Sequence, residues 1–176
     1  MPSFNFNMKA VLLAVLTAED SVDLANFDCG DEELNCFLQE EALDEQEQKL
    51  NKTILLYYKG ELAAYCSLCA DNIRLSDSEM QDSSLTRKVV PAIKIARLAR
   101  DKNFTEMGFG RFLIKYAIKL ANDLTDSMGM RFITVDAYPD KLKFYSSVGF
   151  VPNESYQSRT QNVSMRLDIL TTARLP

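Results

Sequence analysis

Histidine and tryptophan are absent from this chain of 176 residues, and glycine, proline and cysteine are scarce, with 6, 5 and 4 copies. The absence of histidine excludes Ser-His-Asp and Cys-His nucleophiles, so a catalytic acid or base must be tyrosine, a carboxylate, lysine, cysteine or the α-amine. Long hydrophobic runs are also missing: the apolar run from Ala10 to Leu16 is too short to span a bilayer, and Lys9 alone is a poor start for a signal peptide. We therefore expect a cytoplasmic protein.

The few cysteines include one CxxC pair, Cys66 and Cys69, inside the strand-like run ELAAYCSLCA. A zinc site would need a second pair or histidines, and a thioredoxin-type motif would open a helix after a strand. We therefore predict no metal site, and we expect reduced thiols that pack as small hydrophobic side chains.

Two stretches are each dominated by charge of one sign. The chain as a whole carries −5 with a pI near 4.9, which argues against a general nucleic-acid binder. Glu19 to Glu47 holds twelve acids and no base, whereas Arg87 to Lys102 holds six bases and one acid, Asp101. The acidic stretch could attract cations and the basic stretch anions, or both could be solvated faces that partly compensate. The six bases are Arg87, Lys88, Lys94, Arg97, Arg100 and Lys102.

Hydrophobic periodicity predicts a single α/β domain over residues 1–176. Strands are expected at 9–16, on both sides of a Lys59-Gly60 turn within 52–75, at 89–100, at 130–138, at 150–152 and at 162–170. Helices are expected within 19–50, from Gly110 to Leu124 with a stop at Gly129, and at 139–148 before Gly149. The Ser- and Asp-rich stretch 76–88 is expected to be a long mobile loop, and a bulge is expected between Ile95 and Leu98.

Two of the six glycines, Gly108 and Gly110, stand where the strand 89–100 gives way to an amphipathic helix. The first turn of a helix has unpaired N–H groups and a positive dipole end, and glycine has no Cβ to keep a phosphate from them. A P-loop would need GxxxxGK[ST], and a dinucleotide fingerprint would need a third glycine at Leu113. The pattern therefore predicts a pyrophosphate-binding loop, the alternative being a tight turn and nothing more.

At this point the sequence resembles the GNAT superfamily of N-acetyltransferases. LARDKNFTEMGFGRFLI is similar to its acetyl-CoA motif, Gln/Arg-x-x-Gly-x-Gly/Ala after a bulged strand, and VDAYPDKLKFYSSVGFVP is similar to its later motif. The resemblance covers about residues 92–170, with Thr105 in the Gln/Arg slot. It implies a GNAT-like fold: a mixed, mostly antiparallel sheet in which the bulged strand leads to a pyrophosphate-binding loop and helix, with helices on both faces.

The resemblance also implies direct transfer of an acetyl group from acetyl-CoA to a primary amine, without a metal. Tyr145 falls on the general-acid position and would protonate the departing CoA thiolate, since phenol and thiol have nearby reference pKa values; the alternative role is a core aromatic. Backbone groups near Leu98 would hold the thioester and its oxyanion. No base is assigned, Glu106 and Asp136 being candidates. The implied cofactor-binding residues are Leu98, Ala99, Arg100, Thr105, Glu106, Met107, Gly108, Phe109, Gly110 and Arg111.

The amine acceptor stays open at this stage. A small molecule or peptide, selected by the acidic stretch, is the first expectation. Aminoacyl-tRNA is the alternative, because IKIARLARDKNF is similar to the corresponding segment of GNAT-type tRNA-acetylating toxins and the six bases could contact phosphates. A CoA-binding module without activity is a third interpretation. We expect a monomer or homodimer with no membrane partner.

Overall fold

The computed structural model describes residues 4–154 and 161–172. The strands are β1 Val11–Val15, β2 Lys52–Tyr58, β3 Glu61–Arg74, β4 Val89–Arg100, β5 Phe132–Ala137, β6 Val151–Pro152 and β7 Val163–Asp168. The helices are α1 Ser21–Asn26, α2 Glu32–Cys36, α3 Ala42–Glu47, α4 Asp77–Asp82, α5 Phe109–Leu124, α6 Leu142–Ser146 and α7 Ile169–Thr172. Within the described ranges, no helix is both long and apolar enough to cross a membrane.

The seven strands of the described residues form one sheet in the order β1-β2-β3-β4-β5-β7-β6. β4 and β5 run parallel, whereas β1 with β2, β2 with β3, β5 with β7 and β6 with β7 are antiparallel. The predicted fold class, a mixed and mostly antiparallel sheet flanked by helices, is confirmed. That residues 1–176 form a single domain stays a prediction. The structure divides the chain into two compact units.

The first unit comprises Met1–Cys69 and Ala96–Tyr116. Its β2–β3 hairpin turns at Lys59 and Gly60, both left-handed with φ of 54° and 85°, as a two-residue hairpin turn requires. The helical region opens at Asp31, whose carboxylate accepts from the Glu33 and Leu34 amides. This region continues through a π-helical segment, Phe37–Glu41. Its apolar side chains and those of the hairpin form a hydrophobic core. That core includes Leu16, Phe37, Leu38, Leu55, Tyr65 and Ala99.

The second unit comprises Ala70–Ile95 and Ala117–Pro176. In it β4 pairs with β5 from Ala92–Phe132 to Ile95–Val135, and Phe132 is buried with Ile73, Leu75 and Val90. β5 continues to pair with β7 as far as Ala137.

The stretch 76–88 differs from its prediction as a long mobile loop. It contains helix α4, which a capping box between Ser76 and Glu79 begins. Glu79 is only 2% exposed, and its carboxylate binds Arg166 Nη1 at 2.5 Å. A capped helix with a buried ion pair therefore holds this stretch against the second unit's sheet.

Two smaller predictions of element ends were wrong. Residues Met8–Ala10 form a 3-10 turn, so β1 begins later than expected. Strand β7 ends at Asp168, where α7 begins. Helix α5 ends at Leu124, as the periodicity predicts, and Gly129 lies beyond its end. The remaining predicted strands and helices have counterparts in the structure, and the bulge in β4 stays a prediction.

Candidate functional site

The chain leaves β4 in a direction that Asp101 determines. The Asp101 N–H donates to the Ala63 carbonyl at 2.9 Å, and its carboxylate accepts from the amides of Asp28 and Asn103 at 2.9 and 2.8 Å. Asp101 itself is buried. Because a buried carboxylate with several amide donors is costly to move, the loop that follows has a fixed starting point.

Two left-handed residues shape that loop. The Thr105 hydroxyl donates to the Lys102 carbonyl at 2.8 Å, and then Glu106 and Gly108 adopt φ of 64° and 91°. A left-handed residue other than glycine costs about 1–2 kcal/mol, so Glu106 stores strain. A Cβ on Gly108 would lie 3.4 Å from Phe4, an ordinary contact, so the backbone angle rather than space requires glycine there.

Gly110 does not share this role, although it belongs to the same motif. It is the second residue of α5 and has no left-handed φ. The Gly108 carbonyl accepts from the Phe112 amide at 3.1 Å, so Gly108 caps the helix. The N–H groups of the first turn lie at the positive end of a 16-residue helix. This arrangement suits an anion such as a pyrophosphate.

Aromatic side chains hold the start of α5 in place. Phe109 is fully buried, and its ring centroid lies 4.7 Å from that of Phe6, 5.4 Å from Tyr58 and 5.9 Å from Phe104. Phe6 belongs to an N-terminal segment, residues 4–7, that sequence reasoning left out of the site. The alternation of SFNFN before the first strand was its only signal.

The end of β4 supplies three predicted cofactor-binding residues with different environments. Ala99 lies in the hydrophobic core, so only its backbone can face a ligand, whereas Leu98 and Arg100 are half-buried. Among the described residues, Arg100 Nη1 is buried without a hydrogen-bond partner. A buried guanidinium donor without a partner is costly, and an anionic ligand would satisfy it.

Tyr145, the predicted general acid, lies in α6 of the second unit and is 7% exposed. Its ring packs edge-on against Phe144 and Phe150, with centroids 5.1 and 5.4 Å away, so it is also a core aromatic. Burial, and secondarily the nearby Tyr138, raise its pKa above the ordinary value. The hydroxyl therefore stays protonated at neutral pH, as an acid must, but it is a weaker acid than the reference pKa implied.

The two carboxylates considered as bases differ in their surroundings. Asp136 binds Lys94 Nζ at 2.6 Å and lines a polar cavity of about 40 Å³ with Thr134 and Asp71, which hydrogen-bond to each other at 2.5 Å. Glu106 is exposed in the loop. The general base remains unassigned.

The sequence matches the Acetyltransferase (GNAT) domain family over residues 19–168, most of the chain. The chain belongs to the GNAT acetyltransferase family. It is an acetyl-CoA-dependent N-acetyltransferase, and acetyl-CoA is its acetyl donor, as the two motifs implied.

Known proteins similar to this GNAT enzyme include toxins. The tRNA-acetylating toxin of Mycobacterium tuberculosis (strain ATCC 25618 / H37Rv) is 26% identical over 132 residues, which are 74% of this chain and 80% of that protein. The structure of AtaT complexed with acetyl-methionyl-tRNAfMet is 22% identical, with a TM-score of 0.79 over 93% of this chain and 97% of that chain. AtaTR bound with AcCoA is 23% identical, with a TM-score of 0.73 over 94% and 98%.

The solved structures show that the fold is shared. The relatives match the toxin-like subgroup that the basic segment resembles.

The two charged stretches of this GNAT enzyme neutralise each other in part. Asp28 binds Lys102 at 2.5 Å. This bond, together with the hydrogen bonds from the Gly30 amide and the Asn35 side chain, lowers the pKa of Asp28 to about 2. Glu33 lies 3.8 Å from Arg97. Among the described residues, two of the six bases pair with the acidic stretch, Arg97 with Glu33 and Lys102 with Asp28, and two pair with other acids, Lys88 with Asp77 and Lys94 with Asp136.

Proposed function

We propose that this enzyme transfers the acetyl group of acetyl-CoA to the α-amino group of an aminoacyl-tRNA. The observation that carries the proposal is the match to the tRNA-acetylating toxin, which spans 80% of that protein. The structural similarity to AtaT, which was solved in complex with an acetylated aminoacyl-tRNA, supports a fold that is compatible with this acceptor.

In this proposal the loop and the start of α5 bind the CoA pyrophosphate. The donors are the backbone N–H groups from Thr105 to Arg111, and Gly108 presents no side chain to obstruct them. Backbone groups of Leu98 and Arg100 hold the pantetheine arm and the thioester, and Arg100 Nη1 is a further donor for an anion. Glu106 and Met107 contribute backbone N–H groups in this proposal, and Phe109 can contribute only its backbone because its side chain is buried.

The transfer step needs one neutral amine and one acid. The amine nitrogen attacks the thioester carbonyl carbon, a C–N bond forms, and the carbonyl oxygen becomes an oxyanion. When the intermediate collapses, the C–S bond breaks and its electron pair leaves with sulfur. Tyr145 gives its hydroxyl proton to that thiolate, and the amine releases its surplus proton to water. Tyr145 then regains a proton from solvent.

The decisive experiment offers labelled acetyl-CoA to charged tRNA, to the same tRNA without its amino acid, and to a panel of small amines. Label should appear on charged tRNA and be missing from uncharged tRNA, which has no α-amine. Transfer should weaken as salt rises, since phosphate contacts release counterions. Tyr145→Phe should lower turnover by about 100-fold or more and leave the affinity for acetyl-CoA unchanged.

The other outcomes identify the competing functions. Label only on small amines would favour the first expectation from the sequence, with the acidic stretch as the filter. Bound acetyl-CoA without transfer to any acceptor would favour the inactive binding module.

A paired charge reversal tests the basic stretch. Arg87 is exposed, and Arg87→Glu should raise KM for charged tRNA several-fold because it replaces an attraction to phosphate by a repulsion. Lys52→Glu is the matched control, an exposed base outside the stretch, and should leave this KM unchanged. Equal effects of both variants would mean that the stretch has no special role.

A further inference from the structure

The N-terminal segment, residues 4–7, lies directly on the pyrophosphate loop and the first turns of α5. The Phe6 ring centroid is 4.7 Å from that of Phe109 and 5.7 Å from that of Phe112. The Phe4 ring meets Phe112 edge-on at 5.7 Å, and Lys115 Nζ lies 4.9 Å above the Phe4 ring. Two aromatic anchors therefore fix the segment on one face of the helix.

Between these anchors, Asn5 binds two consecutive loop carbonyls. Its side-chain Nδ2 donates to the Glu106 carbonyl at 3.2 Å, and its backbone N–H donates to the Met107 carbonyl at 3.4 Å. Both carbonyls belong to the left-handed turn between Glu106 and Gly108.

These two bonds determine where two amide donors point. No cis peptide bond occurs among the residues that the structure describes. In a trans peptide the carbonyl of one residue and the N–H of the next point in opposite directions. Because the Glu106 and Met107 carbonyls point at Asn5, the N–H groups of Met107 and Gly108 point away from it. Successive N–H groups in such a turn form a concave site for an anion.

We propose that Asn5 is a positioning residue that holds the N–H groups of Met107 and Gly108 toward the CoA pyrophosphate, so that the N-terminal segment sets the affinity for acetyl-CoA. The inference rests on the proposed function, which assigns the pyrophosphate to this loop. Asn5 is exposed and touches no reacting atom; it acts through the two peptide groups that it orients.

Asn5 supports the part of the loop between its two fixed ends, Asp101 and Phe109. Thr105 and Glu106 are exposed, and Glu106 is strained. Without Asn5 the binding-competent turn is one of several conformations, and the apparent affinity falls in proportion to its population. The loss of the side-chain bond should weaken CoA binding about 10-fold.

Two substitutions of Asn5 separate a lost donor from lost volume. Asn5→Ala removes the amide, whereas Asn5→Asp keeps its size but puts a carboxylate where a donor is needed. Both should weaken CoA binding about 10-fold and raise KM for acetyl-CoA without changing kcat. Asn7→Ala is the matched control: Asn7 lies in the same segment, but its side chain accepts from the Lys9 amide and caps the turn Met8–Ala10. It should bind CoA like the wild type.

The probe that distinguishes positioning from general damage is S-acetylpantetheine, a thioester without the pyrophosphate. Its affinity should be the same in the wild type and in both Asn5 variants. Wild-type CoA affinity in Asn5→Ala and Asn5→Asp would overturn the proposal, and so would equal losses for CoA and S-acetylpantetheine. If the wild type binds CoA no better than S-acetylpantetheine, the assignment of the pyrophosphate to this loop fails, and the role of Asn5 fails with it.

Discussion

Two polar stretches of this chain are similar in composition but differ in structure. Residues 76–88 and residues 101–108 both combine Ser, Thr, Asp or Asn with few large apolar side chains. The first forms a capped helix with a buried carboxylate, and the second forms an exposed turn with left-handed Glu106 and Gly108.

The difference lies in where their polar groups find partners. In the first stretch the Glu79 carboxylate accepts from the Ser76 amide at 2.7 Å, from the Glu154 amide at 2.8 Å and from Arg166. Burial raises the pKa of Glu79, but these donors outweigh it and hold the pKa below the ordinary value. In the second stretch the carbonyls are taken by Asn5 and the N–H groups are turned outward. Polar groups that pair with each other stabilise the folded structure, whereas N–H groups without such a pairing are available to a ligand.

The largest expected effect comes from replacing the left-handed glycine in the turn of residues 101–108. Gly108→Val forces a β-branched residue into a left-handed angle and should weaken CoA binding by about 100-fold or more, because lost charge-assisted bonds are worth about 1.5–3 kcal/mol each. Isothermal titration measures the affinity. Gly30→Val is the control, since Gly30 has φ of 80° with open space around it, outside the loop. It should lose similar stability and keep CoA affinity; an equal loss of binding would show that strain alone is responsible.

The next largest effect is expected from removing the buried carboxylate in residues 76–88. Glu79→Ala leaves Arg166 buried without its carboxylate and should lower the free energy of unfolding by about 3 kcal/mol, the low end for a broken buried pair, because Asn153 and Pro152 still accept from Nη1. Urea unfolding measures it, and CoA affinity should not change. Asp77→Ala, at an exposed acid of the same helix, should have little effect. A CoA affinity that falls with Glu79→Ala would break the contrast between the two stretches.

The same carboxylate predicts a pH dependence. Because the pKa of Glu79 is lower in the folded state, the unfolded chain takes up this proton first as pH falls. Its stabilisation is present above the ordinary glutamate pKa of about 4.3 and is lost below it. Glu79→Gln should therefore flatten the decline of stability between about pH 5 and pH 3, as chemical unfolding at each pH would show. Parallel curves for both proteins would exclude Glu79 as a contributor.

The smallest effect is expected from the helix cap. Ser76→Ala removes the hydroxyl that accepts from the Glu79 amide at 3.1 Å and should cost about 1 kcal/mol, which corresponds to a fall in Tm of about 2–4 °C. Ser78→Ala is the control, because Ser78 also binds Glu154 but does not cap the helix. A larger loss in the control would assign the effect to Glu154 instead.

Local patterns predicted most of the fold. The Lys59-Gly60 turn, the strand 89–100 and the amphipathic helix after it were found because hairpin turns and helix faces depend on residues close in sequence. Helix α4 was missed, although Ser76 and Glu79 have the spacing of a capping box, because no apolar periodicity accompanies them. Its burial depends on Arg166, 87 residues away, which no local pattern indicates.

The sequence by itself determined the family, the acetyl donor and the position of the loop, because its motifs preserve local geometry. An example is the turn at Gly108, which favours glycine, and the helix that begins directly after it. Tertiary structure alone decided the rest. It brought Asn5 onto the loop carbonyls 101 and 102 positions away, paired the acidic stretch with the basic one, and buried Tyr145 enough to raise its pKa. The physical reason is that hydrogen bonds, ion pairs and desolvation act over a few ångströms in space, whatever the separation along the chain.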